Sequence, residues 1–315
     1  MKRKNNLYNN LLKMENIEQA YNEVCSHTRN KRKVRNYKEY RCIYISRIYK
    51  ILLERNYEVG SYNVFTIYEP KERIIVSQNL QDKVINHLIS RQILYPSLIP
   101  CLIDENVASL ENKGTRYGIK LVNQFHKKCT IKYKEYYILK CDISKFFASI
   151  DKDRLKEKLL KKIKDKEALD IVFKVIDSQP EGLGIGNMTS QVLAIFYLND
   201  MDHFIKENLK IKYYVRYQDD FLLFHESKEY LKYCFEEIKK FLEKEKLTLN
   251  KKSRIYKSTN NFLFLGRDKK GKYAKYRSIK RNIRKREYLY RTGKIDLMRY
   301  LSCRICYKNL LKKEN

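Results

Sequence analysis

The stretch Tyr213-Tyr214-Val215-Arg216-Tyr217-Gln218-Asp219-Asp220-Phe221-Leu222-Leu223-Phe224 sets two adjacent carboxylates between two apolar, strand-like runs. Asp is a poor strand residue and neighbouring like charges repel, so the pair calls for a positive charge opposite it. A divalent cation is the usual answer. A third acid, Asp142, lies in similar surroundings within Ile138-Leu139-Lys140-Cys141-Asp142-Ile143-Ser144-Lys145-Phe146-Phe147. Together the three suggest a two-metal site for phosphoryl transfer, the plainer alternative being that one Asp caps a turn.

Charge points to the class of substrate. Lys and Arg number 68 against 37 Asp and Glu, a net charge of +31. A polyanion would neutralise that self-repulsion. Abundant Lys, Asn, Ile and Tyr with no Trp also fit an AT-biased genome. Compositional drift does not explain why basic residues crowd into Lys2–Lys4, Arg29–Lys38 and Arg267–Arg291. The 27 Tyr suit stacking on bases as well as ordinary packing. No basic amphipathic helix with a clean apolar face stands out, so a membrane surface is not expected as partner.

The eight Cys are scattered through apolar runs, as reduced thiols of a cytoplasmic protein would be. Cys303-Arg304-Ile305-Cys306 lacks a second pair or a nearby His and makes a poor zinc site. The five His fall in no metal-ligand spacing and read as structural. The segment Met1–Asn6 has no apolar core of a signal peptide, and the apolar run Ile93–Ile103 is broken by Pro96 and Pro100.

With nine Gly and four Pro, long helices and few loops are expected. Residues 1–58 read as basic helices, and Phe65–Val76 as a hairpin turning at Glu69–Glu72. Leu80, Val84, Ile85, Leu88 and Leu94 have helical spacing. Tyr136–Ile143 reads as a strand, followed by a helical turn at Phe146-Phe147 and a polar helix near 151–164. A flexible loop, Gly182-Leu183-Gly184-Ile185-Gly186, feeds a helix through Val192, Phe196, Met201 and Ile205. The Asp219 hairpin follows, then an amphipathic helix over Leu231–Leu242 and the basic Lys251-Lys252. Asn261–Arg267 is expected as a short strand, and the tail beyond it as basic helix. Strands from distant parts of the chain meeting in one sheet backed by helices make an α+β layout.

Over roughly residues 65–270 this order resembles the reverse transcriptases. Asp142, with Phe147 five residues on, is similar to their first acidic motif, and Tyr217-Gln218-Asp219-Asp220 to their YxDD box. Lys252 and Phe264-Leu265-Gly266 resemble the following lysine and the primer grip. Lys71 and Arg73 stand where that family places triphosphate-binding cations. Most members carry Gln-Gly-x-x-x-Ser-Pro ahead of the box. Ile185-Gly186-Asn187-Met188-Thr189-Ser190-Gln191 is instead similar to the enzymes of diversity-generating retroelements, which copy a template-repeat RNA with errors opposite adenine and work with a small basic accessory variability protein.

The resemblance implies a right-hand polymerase with fingers, an antiparallel palm sheet backed by helices, and a small helical thumb. It implies fingers and basic helices over 1–85, palm over 86–268 with an interleaved fingers segment near 152–181, and thumb over 269–315. It implies an RNA-directed DNA polymerase, bacterial or phage-encoded, taking dNTPs, an RNA template, a DNA or RNA primer and the growing cDNA. Two Mg²⁺ ions, with Mn²⁺ as substitute, would be held by Asp142, Asp219, Asp220 and the Ile143 carbonyl. The dNTP would meet Lys71, Arg73, Lys145, Phe146, Phe147, Ile185, Gly186, Gln191 and Lys252. Primer and template would meet Tyr217, Gln218, Phe264, Leu265 and Gly266. Within this reading Phe147 rejects a ribose 2′-hydroxyl, with core packing as the plainer alternative, and Phe146 is the better core candidate. Group II intron, retron and abortive-infection (antiphage defence) reverse transcriptases remain alternatives, as does an inert RNA-binding scaffold.

Overall fold

A computed structural model describes residues 3–28, 30–68, 72–179, 181–268 and 276–312. The chain opens with helices α1 (Met14–His27), α2 (Lys31–Glu39) and α3 (Arg41–Leu53). A hairpin follows, β1 (Asn63–Ile67) paired antiparallel with β2 (Arg73–Ser77). Helix α4 (Leu80–Leu88) runs through a π-helical stretch into α5 (Tyr95–Leu98), and α6 (Thr115–Lys132) precedes the first strand of the main sheet. Asn79 caps α4 by accepting from the Asp82 amide, the role such a side chain serves at a helix start.

The main sheet has the order β4-β5-β3-β6, built from β3 (Tyr137–Asp142), β4 (Tyr213–Tyr217), β5 (Asp220–His225) and β6 (Arg254–Lys257). Every pair is antiparallel. Between β3 and β4 lie α7 (Phe146–Ser149), α8 (Lys152–Leu160), α9 (Lys166–Asp177), α10 (Met188–Tyr197) and α11 (Asn199–His203). Helix α12 (Lys228–Lys244) joins β5 to β6, and α13 (Tyr276–Arg291) and α14 (Leu297–Lys312) close the chain. No described helix is long and apolar enough to cross a membrane.

Strand alternation gives the sheet two faces. Leu139, Cys141, Tyr214, Phe221 and Leu223 point into the large core that includes residues of α10 and α12. Ile138, Tyr213, Val215, Leu222 and Phe224 form a second core with Val122, Phe125 and Cys129 of α6. Asp142 and Asp220 share this second face, beyond the stretch that α6 covers. One end of an otherwise covered sheet face is therefore left half-exposed, and it carries the acids.

One sequence expectation needs correction. Asn261–Arg267 is not a strand: Phe264 and Arg267 bridge across a tight turn in which Leu265 and Gly266 have φ of 52° and 77°. The strand beside β3 is β6, whose exposed Arg254 and Lys257 flank only two half-buried residues and hid it in the sequence. Helix α9 also went unread. Its signal was present: Asp165 caps it, and Ala168, Leu169, Val172, Val175 and Ile176 bury one face. The same Asp165 carboxylate accepts from the amides of Leu7 and Tyr8 at 2.6 and 3.0 Å, fastening the N-terminal segment to α9. These amides hold it ionised, below the usual carboxylate range, against the opposing effect of burial.

Candidate active site

The β3–β5 register places Asp142 directly opposite Asp220. Cross-strand partners face the same side of a sheet, so the two carboxyls share one patch. Asp219 stands in the two-residue turn joining β4 to β5, and its carbonyl accepts from the Ile143 amide at 3.2 Å. Three acids distant in the chain thus meet at the ends of β3 and β5.

Each pairs with neighbours. The Asp142 carboxylate accepts from Asn250 Nδ2 at 2.9 Å, and its carbonyl from the Asn250 amide at 2.7 Å. Lys140 Nζ lies 2.9 Å from Asp220 Oδ1 and also donates to the Leu263 carbonyl at 2.7 Å. Burial pushes the Asp220 carboxyl up to about 6, Lys140 opposes the rise, and the charges of Asp142 and Asp219 add to it. Among the described residues no three acidic, His or Cys side chains are gathered closely enough to hold a metal ion. Asn250 pairs with Asp142 and Lys140 with Asp220. The donor chemistry nonetheless suits a hard divalent cation, since carboxylate and carbonyl oxygens are its preferred ligands, and a cation would displace the proton that burial keeps on Asp220 up to about 6.

The expected nucleotide contacts belong to α7, the glycine loop and β2. Lys145 is exposed at φ 47°, immediately before α7. Phe146 is buried in the main core, and Phe147 is half-buried against it, the rings edge to face at 5.7 Å. The glycine loop is wedged between α7 and β2. Leu183 N donates to the Phe147 carbonyl at 2.8 Å, and Val76 N to the Ile185 carbonyl at 3.2 Å. Gly182, at φ 49°, has no room for a side chain, since a Cβ would stand 2.2 Å from the Phe147 carbonyl oxygen. Ile185 is half-buried, Gly186 exposed, and Gln191 accepts from Ser109. Arg73 is exposed at the start of β2, whereas Lys71 lies outside the described residues.

The remaining predicted contacts are spread around it. Lys252 is exposed in the turn after Asn250, its amide bonded to Asn250 Oδ1. Tyr217 is half-buried opposite Asp220. Gln218 is buried at φ 55° with its amide spent on Ser109, so its side chain faces inward rather than toward an open surface. Phe264 is buried with Lys140 Nζ 5.7 Å from its ring centre, and Leu265 and Gly266 form the turn beside it.

Sequence reasoning missed Lys140, Asn250, Ser109 and the fully buried pair Arg216–Asp202. Lys140 carried a signal, a cation two residues from an acid in an apolar strand. Arg216, three residues before Asp219, carried the same signal, whereas Asn250, Ser109 and Asp202 meet the site only through tertiary contacts.

The reverse transcriptase (RNA-dependent DNA polymerase) profile matches residues 31–268. Among solved structures, apo telomerase of Candida tropicalis truncated from its C-terminal domain superposes with a TM-score of 0.52 at 17% identity, covering 66% of this chain and 52% of that one. Telomerase of Candida albicans in complex with a TWJ fragment of telomeric RNA gives 0.52 at 13% identity, covering 73% and 51%. This chain therefore spans about half the length of those structures, and identities so low speak for the fold alone. No curated protein sequence matches. The mixed helix and antiparallel-sheet architecture is that of the polymerase fold, and the chain belongs to the reverse transcriptase (RNA-dependent DNA polymerase) family.

Proposed function

We propose that this protein is an RNA-directed DNA polymerase whose catalytic acids are Asp142, Asp219 and Asp220. The observation that carries the reading is the pairing of Asp142 with Asp220 across β3 and β5, with Asp219 in the adjoining turn. Bound Mg²⁺, or Mn²⁺ in its place, would supply activation of the primer 3′-hydroxyl and neutralisation of the triphosphate. Asp142, Asp219, Asp220 and the Ile143 carbonyl would hold it.

The chain's own groups do the positioning. The backbone amides at Lys145 and Phe146, with Lys71, Arg73 and Lys252, are suited to triphosphate oxygens. Phe147, half-buried against Phe146, would exclude a 2′-hydroxyl. Tyr217 and the Phe264–Gly266 turn lie on the primer side. Under this reading residues 1–85 are fingers and basic helices, 86–268 palm with fingers at 152–181, and 269–315 thumb, in a cytoplasmic protein.

The subtype we infer is that of diversity-generating retroelements, copying a template-repeat RNA beside a small basic accessory protein. Ile185 supports it, because an apolar side chain there cannot make the polar check that Gln makes on an incoming nucleotide. Ile185→Gln is expected to lower errors opposite template adenine, and an unchanged error spectrum would reject the subtype in favour of a group II intron, retron or phage-defence enzyme.

Primer extension on an RNA template with dNTPs and Mg²⁺ tests the activity. Asp219→Ala and Asp220→Ala should each abolish extension while leaving RNA affinity nearly unchanged. The Lys140–Asp220 ion pair favours one rival, an inert RNA-binding scaffold in which a lysine has replaced the metal. Extension by the wild-type chain removes that rival; its absence with RNA binding intact supports it.

A further inference from the structure

The turn that carries Asp219 is tied twice to one helix, α10. Gln218, its first residue, sits at φ 55°. Two-residue hairpins need positive φ there, which Gly takes freely and Gln takes only when held. Gln218 Nε2 donates to Ser109 Oγ at 2.9 Å, and Ser109 Oγ donates to Gln191 Oε1 at 3.1 Å. Gln191 lies near the start of α10, directly after the glycine loop. Arg216 makes a second tie to the same helix: its Nη1 donates to the Gln218 carbonyl and its Nη2 to the Ile195 carbonyl, both at 3.0 Å.

Ser109 is delivered there by backbone pairing. Arg216 N donates to the Glu105 carbonyl at 3.1 Å and Val107 N to the Arg216 carbonyl at 3.0 Å, so the loop lies along the free edge of β4. The other end of the Gln218 amide, Oε1, is buried without a hydrogen-bond partner. Among the described residues Ser109 therefore provides the single side-chain hydrogen bond of a buried Gln218 in a strained turn. Losing it leaves the whole amide unsatisfied.

We propose that Ser109 and Gln191 are positioning residues for Asp219: the relay Gln191–Ser109–Gln218 keeps the acid-bearing turn in register with the start of α10. A shift of that helix start, when a nucleotide seats against the Gly184–Gly186 loop, passes along the relay to the carboxylate. The proposal rests on the polymerase reading above, adds Ser109, and gives Gln191, expected from the sequence as a nucleotide contact, a positioning role through Ser109 instead.

Ser109→Ala and Gln191→Leu test it in the 315-residue chain. In primer extension each is expected to lower kcat roughly 10-fold while the KM for dNTP stays within about twofold. The double variant should lose no more than either single one, as links of one chain do. Independently of turnover, Mn²⁺ affinity measured by calorimetry should fall roughly 10-fold in Ser109→Ala. Unchanged kcat with unchanged Mn²⁺ affinity, a rise in KM alone, or fully additive losses overturns the relay. If the wild-type chain extends no primer, the polymerase reading fails, and the Mn²⁺ comparison alone decides the relay.

Discussion

Asp142 and Asp220 face each other as register partners on β3 and β5, while Lys140, two residues back along β3, holds Asp220 at 2.9 Å. A lysine thus supplies part of the positive charge that the acids demand. Any cation entering the site competes with it for Asp220.

That arrangement gives a pH signature. The Asp220 carboxyl is raised from 3.8 to about 6, first by burial and then by the neighbouring carboxylates. The folded state binds this proton more tightly than the unfolded chain. Its stabilising contribution is therefore complete below about pH 4 and is lost as pH rises through about 6, at most about 3 kcal/mol in all. In metal-free protein, the melting temperature of Asp220→Asn relative to wild type should climb between pH 4 and 6 and then level off. A flat difference across that window would refute the raised carboxyl.

The pair Arg216–Asp202 is fully buried, and Tyr214 Oη also donates to Asp202 at 2.7 Å. Removing one partner strands a buried charge. Arg216→Ala should lose about 3–5 kcal/mol in urea denaturation, and Arg216→Met with Asp202→Leu markedly less. Equal losses in the two proteins would mean that packing rather than charge dominates.

Gly182→Ala meets both a left-handed backbone and the Phe147 and Ala148 carbonyl oxygens at 2.2 and 2.6 Å. It should destabilise by about 1–3 kcal/mol or more and raise the KM for dNTP by displacing the loop from α7. Gly293→Ala is the control, with φ 67° and nothing within 4 Å of its Cβ. Its expected loss is about 1 kcal/mol. Thermal melts of both variants check the pair.

With a net charge of +31, RNA affinity should fall steeply with salt. Arg281, Arg284 and Lys285 are exposed on α13. If each meets a phosphate, replacing one by Ala lowers the slope of log Kd against log salt by about 1, uniformly across sequences. Slopes measured by filter binding decide whether α13 contacts RNA.

The sequence was most readable where patterns are local. The alternating apolar runs around Asp219 and Asp220 mark a hairpin at any register, and helical spacing identifies α4, α10 and α12. Strand β6 escaped because Arg254 and Lys257 look like solvated residues; only pairing with β3 makes Arg254–Lys257 a strand.

The sequence by itself determined that three acids sit at the ends of apolar strands, and that a motif order like that of reverse transcriptases surrounds them. Tertiary structure alone decided that Asp142 falls opposite Asp220, that Asn250 pairs with one and Lys140 with the other, and that Ser109 anchors the turn. Local propensity acts over a few residues. Register and side-chain partners follow from which apolar faces can be buried together, and chain segments 80 to 110 residues apart meet here only through that burial.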